Sequence, residues 1–139
     1  MASLVYNSFI EDMAKGDIDF DIDDFKVMLV GAGYAASKTH TRRSHVTNEV
    51  TGTGYNQGGA ATTVTINKNN ADNRIDLNFS NVAWSNATIT ARGAVIYKDS
   101  GLGQASADPL IAYVDFNQNI ASTNASFAVT FSAPLRFQN

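Results

Sequence analysis

The chain has 139 residues, of which 44% are hydrophobic and 17% are charged, and its formal net charge is −3 at pH 7. These values are typical of a globular protein of single-domain size, and they exclude a disordered or strongly basic chain. One basic cluster exists, formed by Lys38, His40, Arg42, Arg43 and His45. It is too small to be the stripe that neutralises nucleic-acid phosphates, so we expect no nucleic-acid partner.

The chain contains no cysteine, which excludes disulfides, thiolate metal sites and cysteine nucleophiles. No charged-then-apolar leader is present, and no apolar run approaches the roughly 18 residues that span a bilayer. We therefore expect synthesis in a cytoplasm, no membrane partner, and a fold stabilised by packing and oligomerisation. Two glycosylation acceptor patterns, beginning at Asn86 and Asn124, are discounted because no signal peptide precedes them.

Near the N-terminus, apolar residues recur at helical spacing, and Gly16 follows where a left-handed C-cap belongs. The apolar positions are Leu4, Val5, Phe9, Ile10 and Met13. The pattern predicts one short amphipathic helix within residues 1–16. We expect it to dock on its own domain, since the segment that follows is too short and too regular to act as a free tether.

Between Asp17 and Phe25 the period changes to two, because aspartates at 17, 19, 21 and 23 alternate with apolar residues. This alternation predicts an extended segment that enters a buried strand over residues 25–30. The aspartates are interpreted as a charge-protected strand edge. A calcium loop is the alternative, although an EF-hand needs Gly and Glu where Ile22 and Met28 stand.

Residues 31–61 are rich in glycine and hydroxyl side chains and predict a long loop with one helical turn near residues 42–48. A loop of this length is usually functional or interfacial. Strand patterns then recur between turn-forming residues, including Asn117-Gln118-Asn119. The predicted strands cover residues 62–67, 74–79, 87–98, 110–116 and 127–131.

These elements predict a single, mainly β domain over residues 1–139. The N-terminal helix (1–16) precedes an antiparallel β-sandwich or jelly-roll over residues 17–139, with the long Gly/Thr-rich loop at about 31–61. The predicted strands do not alternate with helices, so the sequence gives no reason to expect a parallel sheet.

Two glycine-rich stretches resemble phosphate-binding motifs without meeting their requirements. Residues 31–36 match the dinucleotide fingerprint G-x-G-x-x-A, with Glu49 near the position of a ribose-binding acid. No apolar helical stripe follows, which favours a glycine turn leaving a strand. Residues 51–59 lack the lysine of a P-loop because Ala60 stands in its place, so we expect a conformationally special loop.

No residue pattern identifies a catalytic, cofactor-binding or metal-binding site. His40 and His45 are five residues apart, which fits no zinc pair, and we expect both on the surface. Trp84 with Tyr97, Tyr113 and Phe116 could line a carbohydrate groove, but a single tryptophan among β-branched neighbours is more typical of a core. We therefore predict that the protein is not an enzyme and needs no cofactor.

Three blocks of sequence carry a resemblance to a group of small structural proteins of tailed bacteriophages. They are VTNEVTGTGY at residues 46–55 with GG at 58–59, WSNATITARGAVIY at 84–97, and PLIAYVDF at 109–116. The order of the blocks is also similar, and the likeness spans most of residues 4–131. The turn that begins Gly31-Ala32-Gly33-Tyr34 departs from the more polar, hydroxyl-rich turn of that group, so we expect the adjoining loop to make different contacts.

The resemblance implies a non-enzymatic virion protein, without catalytic residues. Its implied role is a capsid decoration or cement protein that binds the outer surface of the major capsid protein lattice, as a homo-oligomer. A tail or head-fibre component, with receptor or glycan binding, is the alternative.

Overall fold

The computed structural model describes residues 3–101 and 105–139. Met1 and Ala2, the start of the predicted N-terminal helical segment, lie outside the described residues. The fold is mainly β: the described residues form two antiparallel sheets and one α-helix near the N-terminus. The predicted β-sandwich-like class with an N-terminal helix is therefore confirmed.

The strands form a five-stranded sheet in the order β1-β7-β6-β2-β3 and a three-stranded sheet in the order β4-β5-β8. Two short 3₁₀ turns, Arg43–His45 and Ala105–Ala107, interrupt the connections, and the first lies within the predicted helical turn. The bounds are β1 Leu4–Val5, α1 Asn7–Lys15, β2 Asp24–Val30, β3 Ala60–Thr62, β4 Val64–Asn69, β5 Arg74–Phe79, β6 Val82–Asp99, β7 Leu110–Val129 and β8 Leu135–Gln138.

Helix α1 ends at the predicted left-handed Gly16, whose φ is 80°. Its start differs from the prediction, because Leu4 and Val5 form strand β1 and pair with the edge of β7. The predicted apolar stripe is also wrong at Ile10, which is 56% exposed, whereas Phe9 is completely buried. The Phe9 ring lies 5.7 Å from that of Phe20, so the helix packs on its own chain, as expected.

The segment between α1 and β2 is a turn, not the predicted extended strand edge. The Asp23 amide donates to the Asp19 carbonyl at 2.9 Å, and the Asp19 amide donates to the Asp23 carboxylate at 2.7 Å. Aspartate side chains compete for nearby backbone amides in this way, and here that competition overrides the period-two alternation. The Lys98 ammonium lies 3.1 Å from the Asp23 carboxylate and partly balances the charge of the turn.

Strand β2 confirms the predicted buried strand, and its near-continuous apolar run has a structural reason. Phe25, Val27 and Leu29 face the core between the two sheets. Met28 and Val30 face a second apolar cluster on the other side of the five-stranded sheet, where they meet Tyr6, Tyr34, Val95, Tyr97, Leu110 and Tyr113. The outer face of this sheet is thus covered too, because Tyr34 brings part of the long loop down onto it.

The predicted strand at 110–116 and most of the one at 127–131 belong to one continuous strand, β7, which ends at Val129 instead of residue 131. The predicted turn at residues 117–119 is therefore wrong. Asn117 adopts a left-handed φ of 63°, and its amide donates to Asp115 Oδ1 at 2.8 Å. The β6–β7 register shifts at this point, which marks a bulge that lets the strand continue. Strand β8, which pairs with β5, was not predicted.

Candidate interaction surface

The β6–β7 hairpin extends beyond the end of β2 as a two-stranded ribbon. Its strands pair from Val82↔Val129 to Ala91↔Ile120. We call residues 82–91 and 117–129 the polar ribbon, because neither range contains a charged side chain and its outward positions are mostly short and polar. The inner face contributes Trp84, Ala87, Ile89, Phe127 and Val129 to the core, whereas Ala83, Ser85, Thr88 and Thr90 are exposed on the outer face.

Two asparagines shape the polar ribbon. Asn86 and Asn124 have left-handed φ values of 49° and 46°, and register shifts lie beside both. Thr88 Oγ1 accepts the Asn124 amide at 3.0 Å, and Ser122 Oγ donates to the Ala87 carbonyl at 2.7 Å. These side-chain bonds cross-link the two strands, so the ribbon presents an ordered face.

The glycine-rich loop packs along the edges of β6 and β2. Thr53 bridges Thr88, and a Cβ atom on Gly54 would lie only 2.8 Å from the Ala87 Cα atom. Gly59 has a φ of 80°, and a Cβ atom there would overlap the Val27 carbonyl oxygen. The loop therefore needs glycine for close backbone approach, which fits the expected conformationally special loop.

Glu49 holds this loop in place. Its Oε1 accepts hydrogen bonds from the Tyr55 hydroxyl at 2.8 Å and from the Gly58 amide at 2.6 Å. The Tyr97 hydroxyl donates to the Gly58 carbonyl at 2.6 Å. Burial raises the pKa of both tyrosines above their ordinary value, so each remains a neutral donor.

Arg43 compensates the acidic groups around the loop. Its guanidinium nitrogens lie 3.6 Å from the Asp108 carboxylate and 3.9 Å from that of Glu49. The same guanidinium stacks over the Tyr97 ring at 4.9 Å from the centroid. Asp108 is completely buried and accepts the Ser100 amide at 2.9 Å. The cluster ties the long loop to the 3₁₀ turn that precedes β7.

Other members of the basic cluster also make structural contacts. Arg42 forms a bidentate pair with Asp12 of α1, at 2.7 and 3.0 Å. His40 is half-buried, contrary to prediction, and its Nδ1 lies 2.9 Å from the Tyr34 hydroxyl, while His45 is exposed as predicted. Burial, and next the nearby His45, hold the pKa of His40 below its ordinary value. These side chains fasten the loop to the sheet and to α1.

The four aromatic residues considered for a carbohydrate groove do not line a common groove. Trp84 is only 6% exposed and lies 5.5 Å from the Tyr55 ring in the core between the sheets. Phe116 packs against the same core, whereas Tyr97 and Tyr113 belong to the cluster on the opposite side of the sheet. The core interpretation of Trp84 is confirmed, and the aromatic groove is wrong.

The dinucleotide-like stretch at residues 31–36 is a tight turn. The Tyr34 amide donates to the Gly31 carbonyl at 3.2 Å, and the Tyr34 side chain is buried. No helix opens there, which confirms the glycine-turn interpretation. Within residues 3–101 and 105–139, no group of three or more histidine, aspartate or glutamate side chains is arranged to hold a metal ion. No helix in the same ranges is long and apolar enough to cross a membrane.

A shallow polar depression of about 570 Å³ lies between this turn and the polar ribbon. Its walls come from residues 31–33, 48–51, 88–90 and 121–123. Thr51, Thr88, Thr90 and Thr123 are among the residues that line it. The depression offers hydrogen-bonding groups without an aromatic platform.

Sequence reasoning missed the Glu49–Tyr55 and Arg43–Asp108 contacts and the bulges of the polar ribbon. The only available signal for the bulges was the presence of isolated asparagines inside β-rich runs, since asparagine tolerates left-handed φ better than other non-glycine residues. No protein-family model, no curated protein and no solved structure matches this chain. Its function is therefore inferred from its residues and their geometry.

Proposed function

We propose that this protein is a non-enzymatic structural component of a tailed-bacteriophage virion. In this proposal it is a decoration, or cement, protein that binds the outer surface of the major capsid protein lattice and stabilises the head. The single observation that carries the proposal, beyond the resemblance of its sequence blocks, is the exposed and uncharged polar ribbon.

The three sequence blocks that resemble phage structural proteins are adjacent in space. The first block crosses the second at Thr53 and Thr88. The second block pairs with the third along β6 and β7, from Gly93↔Asp115 to Tyr97↔Leu110. Together they form one framework that positions the polar ribbon.

The polar ribbon shares one property of protein-binding surfaces, the lack of charge. Interface centres are depleted in charged residues, and the ribbon has none. Short serine, threonine, alanine and asparagine side chains lose little rotamer entropy when they are immobilised against a partner. On a symmetric shell, many modest contacts of this kind reinforce one another. Because no charge takes part, we expect binding to persist at high salt.

Co-sedimentation with phage heads that lack the protein tests this role. We expect the purified protein to sediment with heads equally well at low salt and at about 1 M NaCl. A Ser85→Lys/Thr90→Lys variant, which places two charges on the exposed face, is expected to lose binding. The matched control is Thr65→Lys/Asn67→Lys, at exposed positions of β4 in the other sheet, which should bind as the wild type does. Equal binding by both variants would contradict a role for the ribbon.

The alternative is a tail or head-fibre component that binds a receptor or glycan, and the polar depression beside the ribbon favours it. A glycan array with the wild type and a Thr51→Val/Thr123→Val variant distinguishes the two functions. Binding that the wild type shows and the variant loses would support the fibre role. Absence of binding by both proteins would remove the support that the depression provides.

A further inference from the structure

Three side chains on the outer face of the five-stranded sheet form a hydrogen-bonded chain that ends at a histidine. The Tyr6 hydroxyl lies 2.9 Å from the Tyr34 hydroxyl, which in turn lies 2.9 Å from His40 Nδ1. Tyr6 is completely buried and Tyr34 is only 2% exposed, whereas His40 is half-buried. Two buried hydroxyls therefore depend on one titratable group near the surface.

The same chain attaches the first part of the long loop to the sheet. Tyr34 is the only residue of the segment 31–41 that is buried, and its ring lies edge-on to that of Tyr113 at 5.7 Å. Farther along the segment, the Asn7 amide donates to the Lys38 carbonyl at 2.9 Å. The environment of Tyr34 thus determines how firmly the middle of this segment is held.

Only the neutral form of His40 satisfies both hydroxyls. With its proton on Nε2, His40 accepts at Nδ1 from Tyr34, and Tyr34 accepts from Tyr6. After protonation both ring nitrogens are donors, so the direction of each bond must reverse. The Tyr6 proton is then left over, because neither hydroxyl makes another hydrogen bond among the described residues. A buried donor without an acceptor is costly.

A positive charge on His40 would also lack a counter-ion, since no carboxylate within the described ranges forms an ion pair with it. The His45 ring is 5.6 Å away and repels it when protonated. The ionisable groups around the segment are neutral, positive or already paired: Tyr6, Tyr34, Tyr113, His45, Lys38 and the pairs Arg42–Asp12 and Lys15–Glu11. Burial, and next His45, hold the pKa of His40 below its ordinary value.

We propose that the Tyr6–Tyr34–His40 chain is an acid-sensitive latch, which holds residues 31–41 on the sheet at neutral pH and releases them when His40 is protonated. In the released segment the pKa of His40 returns to about 6.5. The attachment is therefore constant above about pH 6.5 and weakens as the pH falls from there to the lowered folded pKa. Release uncovers part of the second apolar cluster. The inference is independent of the proposed function, because it concerns the isolated chain.

Titration of the histidines by NMR in the full chain tests the hydrogen-bonded chain. Tyr34→Phe keeps the ring but removes the hydroxyl that donates to neutral His40, so the pKa of His40 should rise by about one unit. Tyr6→Phe is the matched control. In that variant Tyr34 still donates to neutral His40 and becomes the unsatisfied hydroxyl on protonation, so the pKa of His40 should remain as in the wild type. The pKa of His45 should be the same in all three proteins.

Hydrogen exchange, corrected for the intrinsic rate at each pH, tests the release itself. Protection of the Asn7, Tyr34 and His40 amides should fall about tenfold in the wild type between about pH 7.5 and about pH 5. Amides at the centre of the β2–β6 pairing should keep their protection. In Tyr34→Phe the segment should be less protected at both pH values and should change less between them.

Three results would overturn the proposal: a His40 pKa in Tyr34→Phe equal to that of the wild type, an equal rise in both variants, or wild-type protection of the segment that does not depend on pH. The first would show that burial alone sets the titration of His40. Circular dichroism checks that each variant is folded. Head binding takes no part in these measurements, so failure of the capsid role leaves their result intact.

Discussion

Replacing Phe9 by alanine should strongly destabilise the protein, whereas replacing its neighbour Ile10 should not. Phe9 is completely buried, and its ring lies 5.7 Å from that of Phe20 and 6.2 Å from that of Phe137. Ile10 is 56% exposed on the other side of α1. The two residues are adjacent in one helix, so the comparison isolates burial from helix propensity and from position in the chain.

The expected size of the effect follows from burial. Removing a fully buried phenylalanine typically costs about 3–5 kcal/mol, through lost transfer free energy and the cavity left behind. For a domain of this size that corresponds to a fall in melting temperature of roughly 10–20 °C. The Ile10→Ala change should alter the free energy of unfolding by no more than about 0.5 kcal/mol, as for most exposed substitutions.

Urea unfolding measured through Trp84 fluorescence provides the assay. Trp84 is the only tryptophan and is only 6% exposed, so its emission should shift to longer wavelength on unfolding. A Phe9→Ala variant within about 1 kcal/mol of the wild type would refute the docking of α1 on its own sheets. A loss of stability that appears only at low protein concentration would instead place α1 on a neighbouring copy.

Three further outcomes are expected from urea unfolding of variants. Arg42→Ala should cost about 1–3 kcal/mol, because the buried Asp12 carboxylate loses its half-exposed partner; a cost below about 0.5 kcal/mol would show that the pair is dispensable. Gly59→Ala should be far more damaging than Gly16→Ala. Both glycines have a φ of 80°, but only Gly59 is crowded by backbone, so equal costs would contradict the close approach. Stability should also fall as pH drops below about 6.5 through the lowered folded pKa of His40, because the folded state favours its neutral form. A His40→Gln variant should lose part of this pH dependence, and an unchanged profile would contradict the assignment.

The local sequence pattern was sufficient to predict an element wherever one physical requirement, such as burial or a left-handed cap, determined its structure. Strand β5 has the predicted bounds, because its apolar residues alternate cleanly and turn-forming residues flank it. Strand β2 was predicted as buried from its continuous apolar run. Gly16 ended the helix where expected, since the left-handed cap favours glycine.

The sequence pattern gave wrong predictions where side chains form hydrogen bonds with nearby backbone groups. The alternating aspartates between α1 and β2 follow the sequence pattern of a strand. In the structure, two hydrogen bonds between Asp19 and Asp23 close a turn instead. Asn117 is a residue type that often forms turns, but here its left-handed φ belongs to a bulge within the continuous strand β7. In both cases the same residue types stabilise either outcome, and the neighbouring strands decide which one forms.

Some features of the interaction surface could be predicted from the sequence, whereas others depend on the fold. Its lack of charge is a property of the sequence, but the exposure of the polar ribbon depends on where β2 ends and on the β6–β7 register. Glu49 and Tyr97 are far apart in the chain, and only the path of the glycine-rich loop brings both to Gly58. Contacts of this kind carry no local signal.

Copy number in purified virions tests the central claim most directly. Quantitative gel densitometry against the major capsid protein should give on the order of hundreds of copies per particle if the protein decorates the head lattice. A stoichiometry of only a few copies per particle would contradict capsid decoration and move the protein to the tail or a fibre.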